Sequence, residues 1–363
     1  MHRTVTLFVL LLVAVLALTG CGAAATPAPA APAEAPAAPT EAPAEAPAAP
    51  AEAPAAPAAS GEPFKIAFVL PSSVTDLAWG QAMWDGLNAV QAEMGEENLQ
   101  IAYSDGMFQV ADAAAAIRDY ASEGYDLIIA HGTQYGNSMF DVAVDFPETS
   151  FAWGTATDTG AEKGLNNVFA YEALAQEGGY VNGVIAALMS ESGVLGVVGP
   201  VEAGDAKLYI DGFKYGAEQT KPDIQVNVSY TGSFGDTALA SEAANTHIAA
   251  GADILTGSAQ QVVGAITAAK DKGAKWFGTQ SDQSSLAPET VVATQVFDWQ
   301  ETIKDMIALN KAGTYGGKAY ALTLDNDGLK IVYNPGVEVP AEVKAAADAA
   351  IEGIKSGAIA PLP

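Results

Sequence analysis

From Pro63 onward the chain alternates short apolar runs with longer amphipathic stretches, and this alternation limits the folds open to it. The runs are "FKIAFVL" (64–70), "LQIAYS" (99–104), "DLIIAH" (126–131), "SFAWG" (150–154), "GVLGVVG" (193–199), "IQVNVSY" (224–230), "DILTG" (253–257), "AKWFG" (274–278) and "TVVATQV" (290–296). Helical spacing of apolar residues falls between them, at 80–94, 110–123, 176–190, 236–250 and 260–272. Strands separated by helix-length segments imply parallel sheets with helices on both faces. About 300 residues of this pattern exceed the usual size of one domain, so two lobes are expected. In such folds ligands sit beyond the carboxyl ends of the strands, which directs attention to the loops there.

Those loops carry aromatic, carboxamide and carboxylate residues. Asp76, Trp79 and Gly80 follow the first run, and Thr133, Gln134 and Tyr135 follow the third. Phe234 and Asp236 follow "IQVNVSY", and Gln280 and Asp282 follow "AKWFG". Trp79 and Phe234, at strand ends of opposite lobes, could sandwich a flat ring with polar groups at its edge. Trp84 follows helical spacing and reads as structural.

Signals for catalysis are thin. His131 and His247 are far apart and lack metal-ligand spacing, and there is neither a Walker motif nor a G-x-S-x-G elbow. The glycines of "GVLGVVGP" do not match the dinucleotide fingerprint, so that run reads as a buried strand. "DNDG" (325–328), between "AYALTL" and "LKIVY", reads as a β-hairpin turn, because no acidic residue follows to complete a calcium loop. The expectation is a binding protein and not an enzyme, without cofactor or metal.

The N-terminus points to export. "MHRTVTLFVLLLVAVLALTGC" pairs a short basic start with an apolar run too short for an ordinary span, which fits a secretory signal over 1–21. Leu18-Thr19-Gly20-Cys21 has the form of a lipobox. Cys21 is the only cysteine in the chain, so it is the expected lipidation site and no intrachain disulfide can form. Residues 22–63 are almost entirely Ala, Pro and Glu, without large apolar side chains to bury, and read as a solvated tether. At roughly 3 Å per residue such a tether reaches about 100 Å. The formal net charge of −27 disfavours nucleic acid and anionic headgroups as partners.

The stretches "DLAWGQAMWDG", "EGYDLIIAHG", "NVFAYEALAQEGGYVNGVIAALM", "YIDGFKYGAEQTKPDIQVNVSYTGSFGD" and "AAKDKGAKWFGTQSDQSSLAPETVVAT" run through both halves in order. In them the chain resembles the basic membrane protein family of lipoprotein solute receptors, whose best-known members bind purine nucleosides for ABC importers. The resemblance implies a type I periplasmic-binding-protein fold: two doubly wound parallel-sheet lobes joined by three hinge crossovers. It places lobe one at 64–172 plus 284–316 and lobe two at 173–283 plus 317–363. It also implies a monomer on the outer face of the membrane, anchored through Cys21 and working with an importer permease. Trp79 and Phe234 match the family's stacking aromatics, and Asp76 matches an acidic residue suited to ring N–H groups.

Three positions depart from the family. Gly80 replaces an asparagine, Gln280 replaces an aspartate, and Phe297 stands where a lysine follows the strand that here reads "TVVATQV". That aspartate and lysine grip ribose hydroxyls in the family, so their loss implies a free nucleobase as the ligand in preference to a nucleoside. A sensory or structural surface lipoprotein binding another metabolite is the rival reading.

Overall fold

The computed structural model describes residues 61–363; the leader, Cys21 and the tether up to Ser60 lie outside the described residues. Two six-stranded sheets form the frame, each with helices on both faces. The first is built from β1 (Phe64–Val69), β2 (Leu99–Ser104), β3 (Leu127–His131), β4 (Ser150–Gly154) and β5 (Val168–Ala173). Their spatial order is 2-1-3-4-5, every pairing is parallel, and β11 (Ala319–Leu322) completes the edge beside β5. The second sheet repeats the plan with β6 (Val194–Gly199), β7 (Gln225–Tyr230), β8 (Ile254–Gly257), β9 (Lys275–Gln280) and β10 (Val291–Phe297). Its edge strand, β12 (Leu329–Tyr333), runs antiparallel to β10.

The central strands are apolar on both faces because helices cover both: every residue of β3 and of β8 is buried. Helices α1 (Trp79–Met94), α2 (Val110–Ser122), α4 (Gln176–Met189), α6 (Thr237–Ala249) and α7 (Val262–Lys272) match the expected segments to within two residues. The chain also forms α3 (Gly136–Ala143), α5 (Gly204–Thr220), α8 (Gln300–Lys311) and α9 (Ala341–Lys355). β5 is not among the nine runs read from the sequence; Glu172 interrupts its apolar pattern at the carboxyl end.

Helices α4 and α5 touch backbone to backbone. A Cβ on Gly179 or Gly183 would lie 2.3 or 2.1 Å from the carbonyl oxygens of Tyr209 and Phe213. One on Gly212 or Gly216 would meet those of Gln176 and Tyr180 at 2.3 and 2.2 Å. Only glycine permits this approach, which fixes α5 against α4.

The chain crosses between sheets three times: after β5, after β10, and between β11 and β12. The last crossing overturns the expected hairpin. "AYAL" joins β5 in the first sheet, "LKIVY" joins β10 in the second, and "DNDG" turns the chain from one to the other. In that turn Asn326 Oδ1 accepts from Thr323 N at 2.9 Å and Gly328 N at 3.0 Å. The boundaries expected at 283/284 and 316/317 put β10 and β11 in the wrong lobes: β10 pairs with β9, and β11 with β5.

Candidate binding cleft

The loops at the carboxyl ends of the two sheets meet. Ser281 Oγ, after β9, donates to Ala78 O at 2.7 Å, and Gln283 Nε2 donates to Leu77 O at 3.4 Å. Gln260 Nε2, after β8, donates to Asp76 Oδ2 at 3.2 Å. The loop that carries Trp79 is thus held by the second lobe.

Asp76 organises that loop. Its Oδ1 accepts from Ala78 N at 2.9 Å and Gln81 N at 3.0 Å; its Oδ2 accepts from Ser72 Oγ at 2.7 Å and Gly80 N at 3.0 Å, besides Gln260. The N-cap position itself is Ala78, which has no capping side chain, so Asp76 satisfies the first amides of α1 from two residues upstream. Five donors fill a carboxylate with about four lone-pair sites. The contact expected from Asp76 to ring N–H groups therefore has no free lone pair here. Gly80 has the same origin: a Cβ would stand 2.8 Å from Asp76 Oδ2, Leu70 Cδ1 and Ser73 O, so an asparagine has no room.

Trp79 opens α1 and lies stacked on His131 at the end of β3, with centroids 3.5 Å apart and planes 17° apart. His131 is fully buried. Its Nε2 lies 3.1 Å from Trp79 O and its Nδ1 lies 2.8 Å from the Tyr171 hydroxyl on β5. A carbonyl only accepts, so Nε2 carries the proton and Tyr171 donates to Nδ1, which assigns the neutral tautomer from the partners. Burial depresses His131 to about 3, against a smaller opposing effect of the bond to Trp79 O, and the same desolvation pushes Tyr171 well above its ordinary range. One face of the indole is therefore taken by a ring that stays neutral at physiological pH. Sequence reading passed over His131 as a lone histidine; its place at the end of the central strand β3 was the available signal.

The low folded-state pKa sets a sign. Between pH 6.5 and about 3 the unfolded chain takes up a proton at His131 that the native protein does not, so this contribution to stability is complete above 6.5 and is lost as pH falls. His131→Phe is expected to flatten the dependence of unfolding free energy on pH by about 1.4 kcal/mol per pH unit between pH 6 and 4. Urea titrations of both proteins across that window measure it; equal slopes would contradict a neutral native His131.

The remaining expected residues are dispersed around the cleft. Phe234, on the loop after β7, is 48% exposed. Gln134, in the turn after β3, and Asp282, whose Oδ1 accepts from Ser284 N at 2.9 Å, are exposed. Asp236 caps α6 through Ala238 N and Leu239 N. Gln280 is 3% exposed at a φ of 78°, and its Nε2 donates to Asp205 Oδ2 at 3.3 Å. Phe297 is 3% exposed in the hydrophobic core, edge-on to Trp299 at 6.2 Å. It faces a neighbouring ring and offers a ligand little surface. Asp205 thus places a carboxylate beside Gln280 on the second lobe.

Four buried polar atoms cluster at the ends of β8 and β9 with no partner: Ser258 Oγ, Gln260 Oε1, Gln261 Nε2 and Gln280 Oε1. Unpaired buried groups of this kind cost about 1–3 kcal/mol each unless a partner meets them.

Two α/β lobes closing over a cleft at their strand ends define a two-lobed solute-binding architecture. Solved structures share it: an ABC transporter solute-binding protein of Conexibacter woesei superposes with a TM-score of 0.69 at 23% identity, over 83% of this chain and 98% of that one. Another from Aeropyrum pernix gives 0.70 at 18%, over 82% and 93%. These identities show the fold alone. The family follows from sequence: the Bmp profile, described as ABC transporter substrate-binding protein PnrA-like, matches residues 64–360, and the chain belongs to that family. Among curated relatives, a purine-binding protein of Brucella abortus is 29% identical over 300 residues, covering 83% of each chain. The Bacillus subtilis transcriptional activator protein med is 28% identical over 263 residues, 72% of this chain and 79% of its own.

Proposed function

We propose that this ABC transporter solute-binding protein captures a small planar heterocycle of purine type, base or nucleoside, and delivers it to an importer permease. The observation that carries the reading is the pairing of Trp79, backed on one side by His131, with the four unpartnered polar atoms of the second lobe. A flat ring laid on the free face of the indole gains stacking, and its edge N–H and acceptor groups match a mixture of amide and hydroxyl partners. The exposed Phe234 is suited to cover the other face as the cleft engages ligand. The purine-binding relative from Brucella supports the ligand class. Lipid attachment at Cys21 would hold the receptor, as a monomer, at the outer face of the membrane, with residues 22–63 as its tether; multiple acyl chains make such an anchor stable.

Mass spectrometry of compounds released by denaturing the full chain, purified in mild detergent without refolding, tests the proposal. A purine base or nucleoside is the expected result. A sugar, an amino acid or another compound without a planar nitrogen ring would overturn it.

A further inference from the structure

The carboxyl ends of β5, β6 and β9 bring Glu172, Asp205 and Gln280 to one part of the cleft. Asp205 stands in the first turn of α5, the helix fixed against α4 by the four glycines, so its position is set by the backbone. The N-terminus of a helix this long is ordinarily a ready anion site. Here the helix's own carboxylate occupies it. The amides of Asp205 and Ala206 and the amide nitrogen of Gln280 favour the charged form of Asp205, but burial outweighs them and raises its pKa, and Glu172 adds to the rise from the first lobe. Glu172 is itself raised by burial. Lys207, two residues further along α5, is engaged by Asp211. Beside this pair of acids, Gln280 is almost wholly buried, holds Asp205 with its nitrogen and leaves Oε1 without a partner.

From this placement we infer that Gln280 and Asp205 form a paired acceptor that selects neutral or cationic ligands bearing N–H or O–H donors and rejects their phosphorylated or otherwise anionic forms. The inference deepens the reading of the cleft as a ligand site. Gln280 Oε1 takes a ligand donor directly, while Asp205 orients the amide so that its oxygen, and not its nitrogen, faces the ligand. An anion entering here would shed its water next to two carboxylates with no cation to replace it, which is unfavourable on both counts. Neutral donors meet an acceptor already in place. Specificity then comes from repulsion of one ligand class as much as from attraction of the other.

Calorimetry on the full chain in detergent tests this with two probe pairs. The first is guanosine and adenosine against their 5′-monophosphates. The second is tryptamine against indole-3-acetate, planar compounds of opposite charge that do not depend on purine recognition. The unmodified protein is expected to bind each nucleoside at least 100-fold more tightly than its monophosphate, and tryptamine more tightly than indole-3-acetate. Asp205→Asn, which keeps the shape and removes the charge, should weaken nucleoside binding by tenfold or more and shrink both gaps to below tenfold. Asp205→Ser, which retains a helix-capping oxygen, should do the same and covers the case where the amide variant folds poorly. Unchanged gaps in both variants, equal binding within each pair by the unmodified protein, or binding of none of the probes would overturn the inference. Discrimination confined to the indole pair would leave the acceptor standing and remove the purine reading instead.

Discussion

Asp76→Ala is expected to produce the largest loss of stability of any single change in the cleft: about 2–4 kcal/mol, or a melting temperature lower by about 5–10 °C. The carboxylate accepts three backbone amides, a serine hydroxyl and an amide from the other lobe. Truncation leaves the first amides of α1 unsatisfied in a partly buried loop, and loss of a cap alone costs about 0.5–2 kcal/mol. The amides meet charge, and hydrogen bonds to charged groups contribute about 1.5–3 kcal/mol each, though not additively. Leu77, at a φ of 56°, lies between Asp76 and the Ala78 amide that its carboxylate accepts, so releasing that bond lets the left-handed residue relax and the loop move away from the second lobe. Asp76→Asn should fall between the two, because its amide oxygen can still accept while its nitrogen meets donors. Thermal unfolding followed by circular dichroism reads the effect. A melting temperature within 1–2 °C of the unmodified protein would mean that solvent satisfies the loop and that Asp76 is free to serve a ligand after all.

The fold was legible because its main signals are local. Buried strands such as "LIIAH" are continuous apolar runs, and helices between them carry the 3.6-residue period, so every strand up to β10 except β5 could be anticipated. What failed were the edges. β11 and β12 are four and five residues long, and nothing within "AYAL" or "LKIVY" states which sheet each joins. Two short strands around a turn are a hairpin on local grounds, and only the positions of β5 and β10 decide otherwise. β5 was missed because Glu172 interrupts the apolar pattern that identifies strands. In the candidate cleft the sequence draws attention to the aromatic residues more readily than to the bonds of the polar ones. Trp79 and Phe234 stand out because a large ring on a strand-end loop needs a reason. Asp76, Asp205 and His131 are ordinary residue types whose surroundings depend on partners up to 184 positions away along the chain, such as Gln260 for Asp76. Phe297 is the complementary failure: one strand-end position looks like a wall, but Trp299 claims its surface.

Trp79 and Phe234 are expected to share the loss of binding but not the loss of stability. Stacking on an aromatic side chain contributes about 1–3 kcal/mol per base, so Trp79→Ala or Phe234→Ala should weaken binding by roughly tenfold to a hundredfold. Trp79 is also packed on buried His131, and its removal exposes that ring and lowers the melting temperature. Phe234 is 48% exposed, so its removal should leave the melting temperature of the ligand-free protein nearly unchanged. Phe234→Ala therefore isolates binding from folding. The most direct test is a calorimetric titration of the unmodified protein and the Phe234→Ala variant with guanosine and adenine, alongside their ligand-free melting curves. Affinity lower by at least tenfold at an unchanged melting temperature is the predicted result; equal affinity in the two proteins would contradict a ring held between Trp79 and Phe234.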